Sequence, residues 1–218
     1  MRLVALADIH NDIDIPVPDG DILAVSGDLT YRGRIEEVEV VAQWLGKLPH
    51  KHKVVIAGNH DFCFDTSSKV GQRFSVMATQ MLTDAGCIYL KDSGCEIEGL
   101  KFYGSPWQPW FHNWAFNVYR GDLHHHWSKI PNDLDVLLVH GPPFGYGDRT
   151  TNGDRVGCEE LLEALKTKQP KYVFYGHIHE DTGMWRMNDG KTLLYNCSVG
   201  PIYHWNAPEG GSPVVVDI

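Results

Sequence analysis

The sequence predicts an α/β fold built on a pair of mixed β-sheets. Three observations carry that prediction. Short apolar runs of strand length alternate with segments of helical periodicity, the pattern of parallel pairing through crossovers. Two hairpin signals interrupt the alternation and add antiparallel strands. Five of the apolar runs lead into segments bearing Gly, His, Asp and Asn, as expected where parallel strands end at one sheet edge.

The run at 3–7 opens the chain; the first eight residues are too short and too soon acidic for a signal peptide and read as strand. A second strand follows at 22–25. Residues 35–48 place Ile35, Val38, Val41, Ala42 and Leu45 at helical spacing, and Glu36, Glu37 and Glu39 near the start suit the helix dipole. A strand at 54–57 precedes a second helix at 70–85, with Phe74, Met77, Ala78, Met81 and Leu82 on one face and Gly86 at its end. Residues 95–97 and 100–103 flank Glu98-Gly99 as a hairpin. A strand at 137–139, a helix at 158–168 closed by Pro170, and a strand at 172–175 come next. Residues 183–187 and 193–196 flank Asn188-Asp189-Gly190 as a second hairpin, and 214–218 is a final strand. Two stretches lack such patterns: 105–130, with Trp107, Trp110, Phe111, Trp114, Phe116, Tyr119 and Trp127, and the Gly- and Pro-rich 141–157. Long loops of this kind are often functional.

With 218 residues, 43% hydrophobic and 22% charged, the chain is expected to form one soluble domain over 1–218. A net charge of -9 argues against non-specific nucleic-acid binding. A small anionic substrate is compatible with that charge if bound divalent cations reverse the local field. No apolar run reaches transmembrane length, so no membrane association is expected. Cys63, Cys87, Cys95, Cys158 and Cys197 are odd in number and form no C-x-x-C pair. Structural zinc, disulfides and a cysteine nucleophile are therefore disfavoured, and a reducing cytoplasm is the expected compartment.

The five segments are Asp8-Ile9-His10, Gly27-Asp28, Gly58-Asn59-His60-Asp61, His140-Gly141 and Gly176-His177-Ile178-His179. Each alone is weak, but at five strand ends they offer a converging set of carboxylate, imidazole and amide donors suited to metal-assisted hydrolysis. Asp8 with His10, and His177 with His179, lie two apart, so an extended turn can aim each pair one way. Asp28 is a lone carboxylate suited to bridging two ions.

Together these segments resemble the calcineurin-like metallophosphoesterase signature, in the family's order and over most of the chain. The resemblance implies a sandwich of two mixed β-sheets flanked by helices. It also implies two divalent metal ions, with Mn the first expectation and Fe, Zn, Ni or Co compatible. Asp8, His10, Asp28 and His179 would hold one ion; Asp28, Asn59, His140 and His177 would hold the other. A bridging hydroxide would be the nucleophile, and His60 would assist the leaving oxygen. The Asp28-Leu29-Thr30-Tyr31-Arg32-Gly33 segment resembles the protein-serine/threonine-phosphatase form, but Tyr31 stands where those enzymes carry an aspartate that orients the catalytic histidine, and Asn11 replaces their glycine. A protein phosphatase is thus disfavoured. Residues 104–110, 114–117 and 140–143 resemble the metallophosphoesterase-domain proteins of animals and their microbial relatives, a branch associated with phosphodiester hydrolysis, including of cyclic nucleotides. Some animal members lack a histidine of the last motif; both are present here.

The expectation is a metal-dependent phosphodiesterase on a small substrate. Phosphomonoester hydrolysis, a non-catalytic interaction module on the same fold, and nuclease action are the alternatives. Arg32, Asp148 and Arg149 are candidate substrate contacts; Arg32 also reads as an exposed structural residue, and Asp148 and Arg149 as a mutual pair. The Trp-rich stretch reads first as a subsidiary core, and otherwise as a base-stacking wall or a contact within a homo-oligomer. His124-His125-His126 reads as solvent-exposed, and His112 and His204 as structural.

Overall fold

The computed structural model describes residues 1–200 and 211–218; His204 lies outside the described residues. In chain order the elements are β1 (Arg2–Leu6), β2 (Ile22–Ser26), α1 (Ile35–Lys47), β3 (His52–Ile56), a 3-10 turn (Phe62–Phe64), α2 (Lys69–Asp84) and β4 (Cys87–Tyr89). The hairpin strands β5 (Ser93–Ile97) and β6 (Leu100–Ser105) follow, then β7 (Gln108–Pro109), β8 (Asn117–Val118) and α3 (His124–Trp127). The last elements are β9 (Val136–Val139), α4 (Glu159–Lys168), β10 (Tyr172–Tyr175), β11 (Gly183–Arg186), β12 (Leu193–Asn196) and β13 (Val214–Asp217).

Two large mixed sheets result. One has the order β13-β1-β2-β3-β4, parallel except for β13; the other has the order β11-β12-β10-β9-β6-β5, parallel except for its two edge strands. Alternate side chains of the central strands enter different layers, so both sheet faces are covered and the strands read as continuous apolar runs. Leu3, Ala5, Ile22, Ala24 and Val54 pack against Phe102, Val136, Leu138 and Phe174 between the sheets. Val4, Leu6, Leu23, Val25 and Val55 face α1 and α2 through Val38, Val41, Leu45, Ala78 and Leu82. Tyr103, Leu137, Val139 and Val173 face α4 and α3 through Leu161, Leu165 and Trp127. The expected sandwich of two mixed sheets between helices is the observed fold.

Helix boundaries follow their caps. Ser68 accepts from the Gly71 N–H at 2.8 Å and starts α2, and Cys158 sulfur caps α4. The Glu37 carboxylate reaches back to the N–H of Arg34 at 3.0 Å, capping the start of α1. One strand lies outside the expectations, and one expectation needs revision. Strand β4 has three residues, too few to show a period. The stretch 105–130 is not structureless: it holds β7 paired parallel with β8, and α3.

The pairing of β1 with β2 runs on past the strand ends. The N–H groups of Asp8, His10 and Asn11 donate to the carbonyls of Gly27, Asp28 and Leu29, each at 3.0 Å. That extension fixes the first two chemistry-bearing segments against each other. Ala7 bridges to Ser198, joining the two sheets at the same edge.

Candidate metal centre

Asp8 and His10 follow β1, Asp28 follows β2, Asn59 and His60 follow β3, His140 follows β9, and His177 and His179 follow β10. Four of them have left-handed backbone: Asp8 (φ 60°), His10 (46°), Asp28 (51°) and His177 (70°). Non-glycine residues rarely adopt it, and a cluster of them marks a site over-determined by its surroundings.

All seven expected ligands come together. Ligand atoms of Asp8, His10 and His179 lie within 4.8 Å of one another, as do those of Asp28, His140 and His177. Asp28 lies between the groups, its Oδ2 3.7 Å from His10 Nε2 and its Oδ1 3.4 Å from His140 Nε2. His179 Nε2 is 3.5 Å from Asp8 Oδ1 and 3.4 Å from His10 Nε2, and Asn59 Oδ1 is 2.8 Å from His140 Nε2. His140 Nδ1 donates to the Ser26 carbonyl at 3.0 Å, which aims Nε2 inward, the usual posture of a ligating imidazole.

Asp8 and Asp28 are buried, yet both carboxyls lie below the usual range. Burial raises them, but His179 and His140 for Asp8, and His140, His10 and His60 for Asp28, outweigh it. In return, despite burial, His140 is pushed up to about 9 by Asp28 and Asp8, whereas burial and His140 drive His177 down to about 3. Two ionised carboxylates among inward-aimed ring nitrogens and an amide oxygen call for positive charge, and that donor set fits divalent cations.

Backbone space is part of the construction. A Cβ on Gly58 would lie 2.3 Å from Asp28 Oδ1, and one on Gly176 would lie 2.2 Å from Asp8 Oδ2. Asp8 Oδ2 accepts the His177 N–H at 2.9 Å, and Asp28 Oδ1 accepts that of His60 at 2.8 Å. Two supporting residues escaped the sequence reading. Asp61, fully buried, accepts from the N–H groups of Gly58, Leu29 and Thr30 and from the Thr30 hydroxyl, tying two motifs together. Burial, aided by the Asp28 charge, pushes its carboxyl up to about 6 against those donors. Asn196 Nδ2 donates to the carbonyls of Gly147, Ile178 and Asp181, pinning the last motif. Asp61 stood in the quoted motif without a role; Asn196 carried no local signal.

His60 sits beside the cluster, its ring centroid 4.6 Å from that of His10. Its Nδ1 donates to the Tyr31 carbonyl at 2.7 Å, and Trp114 stacks on it at 4.2 Å. Asn11 supports this arrangement: its Oδ1 accepts the Tyr31 N–H at 3.1 Å and its Nδ2 donates to the Glu37 carbonyl at 2.9 Å.

The candidate substrate contacts fare differently. Arg32 is exposed, with its guanidinium over the Tyr31 ring at 5.7 Å. Asp148 is a correction: fully buried, it binds Arg155 at 2.5 Å and the N–H groups of Gly145 and Gly157, so it organises its own loop and does not pair with Arg149. The buried Gly157 amide requires an acceptor, which Asp148 supplies. Arg149 is exposed, its N–H donating to Asp181. The histidine run also divides: His124 and His125 are exposed, whereas His126 binds Asp92 at 2.9 Å and packs tilted against Trp107. The Trp-rich stretch splits as well. Phe116 and Trp127 are buried, and Trp110, Phe111 and Tyr119 are exposed.

A strand-end cluster of this composition on two mixed sheets defines a metallophosphoesterase. The chain belongs to the calcineurin-like phosphoesterase family, whose model matches residues 1–181. It is 39% identical to the human metallophosphoesterase domain-containing protein 1, over all of this chain and 71% of that one. It is also 39% identical to UPF0046 protein T07D4.2 of Caenorhabditis elegans, over all of this chain and 60% of the other. The fold is shared with a solved crystal structure at TM-score 0.69 and 16% identity, covering 91% of this chain and 90% of that one. Membership implies a metal-dependent hydrolase.

Proposed function

We propose that the protein is a binuclear metal-dependent phosphodiesterase acting on a small substrate. The observation that supports it most is the position of Asp28, between a first group made by Asp8, His10 and His179 and a second made by His140, His177 and Asn59. When bound there, two divalent ions, Mn first among the candidates, supply an activated water and neutralise charge on the phosphoryl oxygens. Water adds to phosphorus, the ester P–O bond opposite breaks, and the departing oxygen takes a proton. His60 in its imidazolium form is suited to deliver that proton from Nε2, because its Nδ1–H is held by a carbonyl. Trp114 stacked on its face limits rotation of the ring.

A diester carries one negative charge and two substituents, a monoester up to two charges and one substituent. The cleft wall beside His177 is formed by Trp110, Phe111, Pro109 and Pro142, and Arg120 there is spent on the carbonyls of Gly157 and Val156 and on Glu159. Apolar walls with a committed cation favour the diester. The partner is then a small phosphoester, and the net charge of -9 disfavours nucleic acid. Among the described residues no helix is long and apolar enough to cross a membrane. All five cysteines are free thiols, and burial pushes Cys63 up to about 12, which supports a reducing, cytoplasmic setting and an inert role for that thiol.

Hydrolysis of bis-p-nitrophenyl phosphate and p-nitrophenyl phosphate by Mn(II)-loaded and chelated protein tests the reading. Chelator-sensitive activity on the diester with little on the monoester is expected. The reverse preference would make the protein a phosphomonoesterase, and inert protein with no bound metal would remove the enzymatic reading.

A further inference from the structure

We infer that the cavity beside His177 is a subsite for a quaternary alkylammonium group, so that the substrate is anionic at the metal centre and cationic at one substituent. The inference rests on the phosphodiesterase reading for its orientation, since His177 belongs both to the candidate metal cluster and to the cavity wall. The cavity holds about 380 Å³, within the ~300–1,000 Å³ of small-molecule sites.

Three features of the wall select a cation. The first is aromatic surface. Trp110 and Phe111 line the cavity and are 47% and 52% exposed. A cation within about 6 Å of such a ring is drawn to its face by the ring quadrupole. The rings are held in place beforehand. Trp110 lies flat against Tyr119, with centroids 4.7 Å apart and planes at 7°, and its N–H donates to the Val118 carbonyl at 2.9 Å. Asn117 accepts the Phe111 N–H and donates to the Phe111 carbonyl, fixing that backbone on both sides. Binding there asks little ordering of the protein.

The second feature is Glu180, which lines the same cavity. Its Oε1 accepts the Thr151 N–H at 2.9 Å, and no Lys, Arg or His among the described residues pairs with it. The third is Arg120, whose charge is already engaged by Glu159 and by the carbonyls of Gly157 and Val156. An engaged arginine and an unpaired carboxylate leave the wall negative, beside a centre that metal ions make positive. A substrate with a negative phosphodiester and a positive substituent matches that polarity, and an anionic substituent would be repelled by Glu180. A primary ammonium has three N–H donors to satisfy, more than this apolar wall answers. A trimethylammonium has none and suits aromatic faces backed by one carboxylate.

The test compares two diesters with one leaving group: p-nitrophenyl phosphocholine and its carbon isostere, 3,3-dimethylbutyl p-nitrophenyl phosphate, which keeps the shape and lacks the positive charge. The Mn(II)-loaded protein is expected to prefer the choline ester in kcat/KM by about ten-fold or more, with Glu180→Gln and Trp110→Leu each drawing that ratio toward one. A wild-type ratio of one or below, or a ratio unchanged in both variants, would overturn the inference while leaving the phosphodiesterase reading intact. Competition by methyl phosphocholine or by phosphatidylcholine vesicles then tells a soluble diester from a lipid headgroup, and competition by neither would also overturn it. If neither ester turns over, the phosphodiesterase reading fails, and calorimetric titration with phosphocholine and with 3,3-dimethylbutyl phosphate decides the subsite. Tighter binding of phosphocholine, weakened by Glu180→Gln, sustains it, and equal or absent binding removes it.

Discussion

The Nδ1 of His60 lies 2.7 Å from the backbone carbonyl oxygen of Tyr31. Where a carboxylate would hold this ring and also favour its charged form, a carbonyl fixes the tautomer and adds no net charge. His60→Ala is expected to lower kcat about 10²–10⁴-fold on a diester with an alkyl leaving group, which needs a proton, and much less on a p-nitrophenyl ester. Bound metal measured by elemental analysis should stay at the wild-type level. Because the acceptor is backbone, Tyr31→Ala should leave the leaving-group dependence close to wild type. Equal losses on both leaving groups in His60→Ala would end the acid assignment.

Asn11 is the means by which the Tyr31 peptide is held. Its backbone has φ 64°, which glycine also tolerates, so Asn11→Gly removes the two side-chain hydrogen bonds without adding strain. Two hydrogen bonds of about 0.5–1.5 kcal/mol each translate into a loss of roughly five- to 150-fold on the alkyl leaving group. Rates on alkyl and p-nitrophenyl diesters, measured together, check it. A positioning role requires the alkyl rate to fall further, whereas general loosening would lower both alike.

Much of this arrangement was legible in the sequence, for a definite reason. Strands buried on both faces leave apolar runs such as those ending before Asp8 and His177, and whatever follows them shares an edge. What was hidden works through the backbone or across long separations. The Tyr31 carbonyl has no side-chain signature, and Trp114 reaches His60 across 54 residues of chain, the difference of their numbers. Asn196 clamps three carbonyls from a strand end that reads as ordinary. Asp148 misled because a polar residue in a Gly-rich loop reads as cleft lining, while Arg155 and the amides of Gly145 and Gly157 claimed it.

Gly58→Ala tests how tightly the backbone cradles Asp28. The added Cβ would sit 2.3 Å from Asp28 Oδ1 and 2.4 Å from the Asp28 nitrogen, so the carboxylate or its loop must move. A displacement on the order of 1 Å in such a site costs about 10²-fold in rate. The expected result is that loss together with weaker Mn(II) stabilisation. With Mn(II) at a hundred-fold excess over its Kd, wild-type protein should gain about 2.7 kcal/mol, visible as a rise in Tm, and the variant less at the same Mn(II) concentration. A variant with an undiminished Mn(II)-dependent rise in Tm would show that Asp28 has room to adjust.

Asp92 sets a pH dependence of stability away from the cleft. It accepts from the Ser105 hydroxyl at 2.7 Å, the Trp107 indole at 3.1 Å, His126 at 2.9 Å and Lys129 at 3.0 Å. Burial alone would raise its carboxyl, but the hydrogen bonds from His126, Ser105 and Lys129 prevail and hold it below its ordinary value of 3.8. A carboxyl depressed in the folded state stabilises the protein above its unfolded pKa, and the contribution is lost as pH falls through the folded value. Asp92→Asn should therefore lower stability near neutral pH by about 1.5–3 kcal/mol, the range for hydrogen bonds to a charged group. The gap between wild type and variant should narrow as pH drops below 3.8. Urea unfolding at neutral and acid pH measures it. A gap that stays constant down to strongly acid pH would mean that the amide's altered packing, not the lost charge, causes the destabilisation.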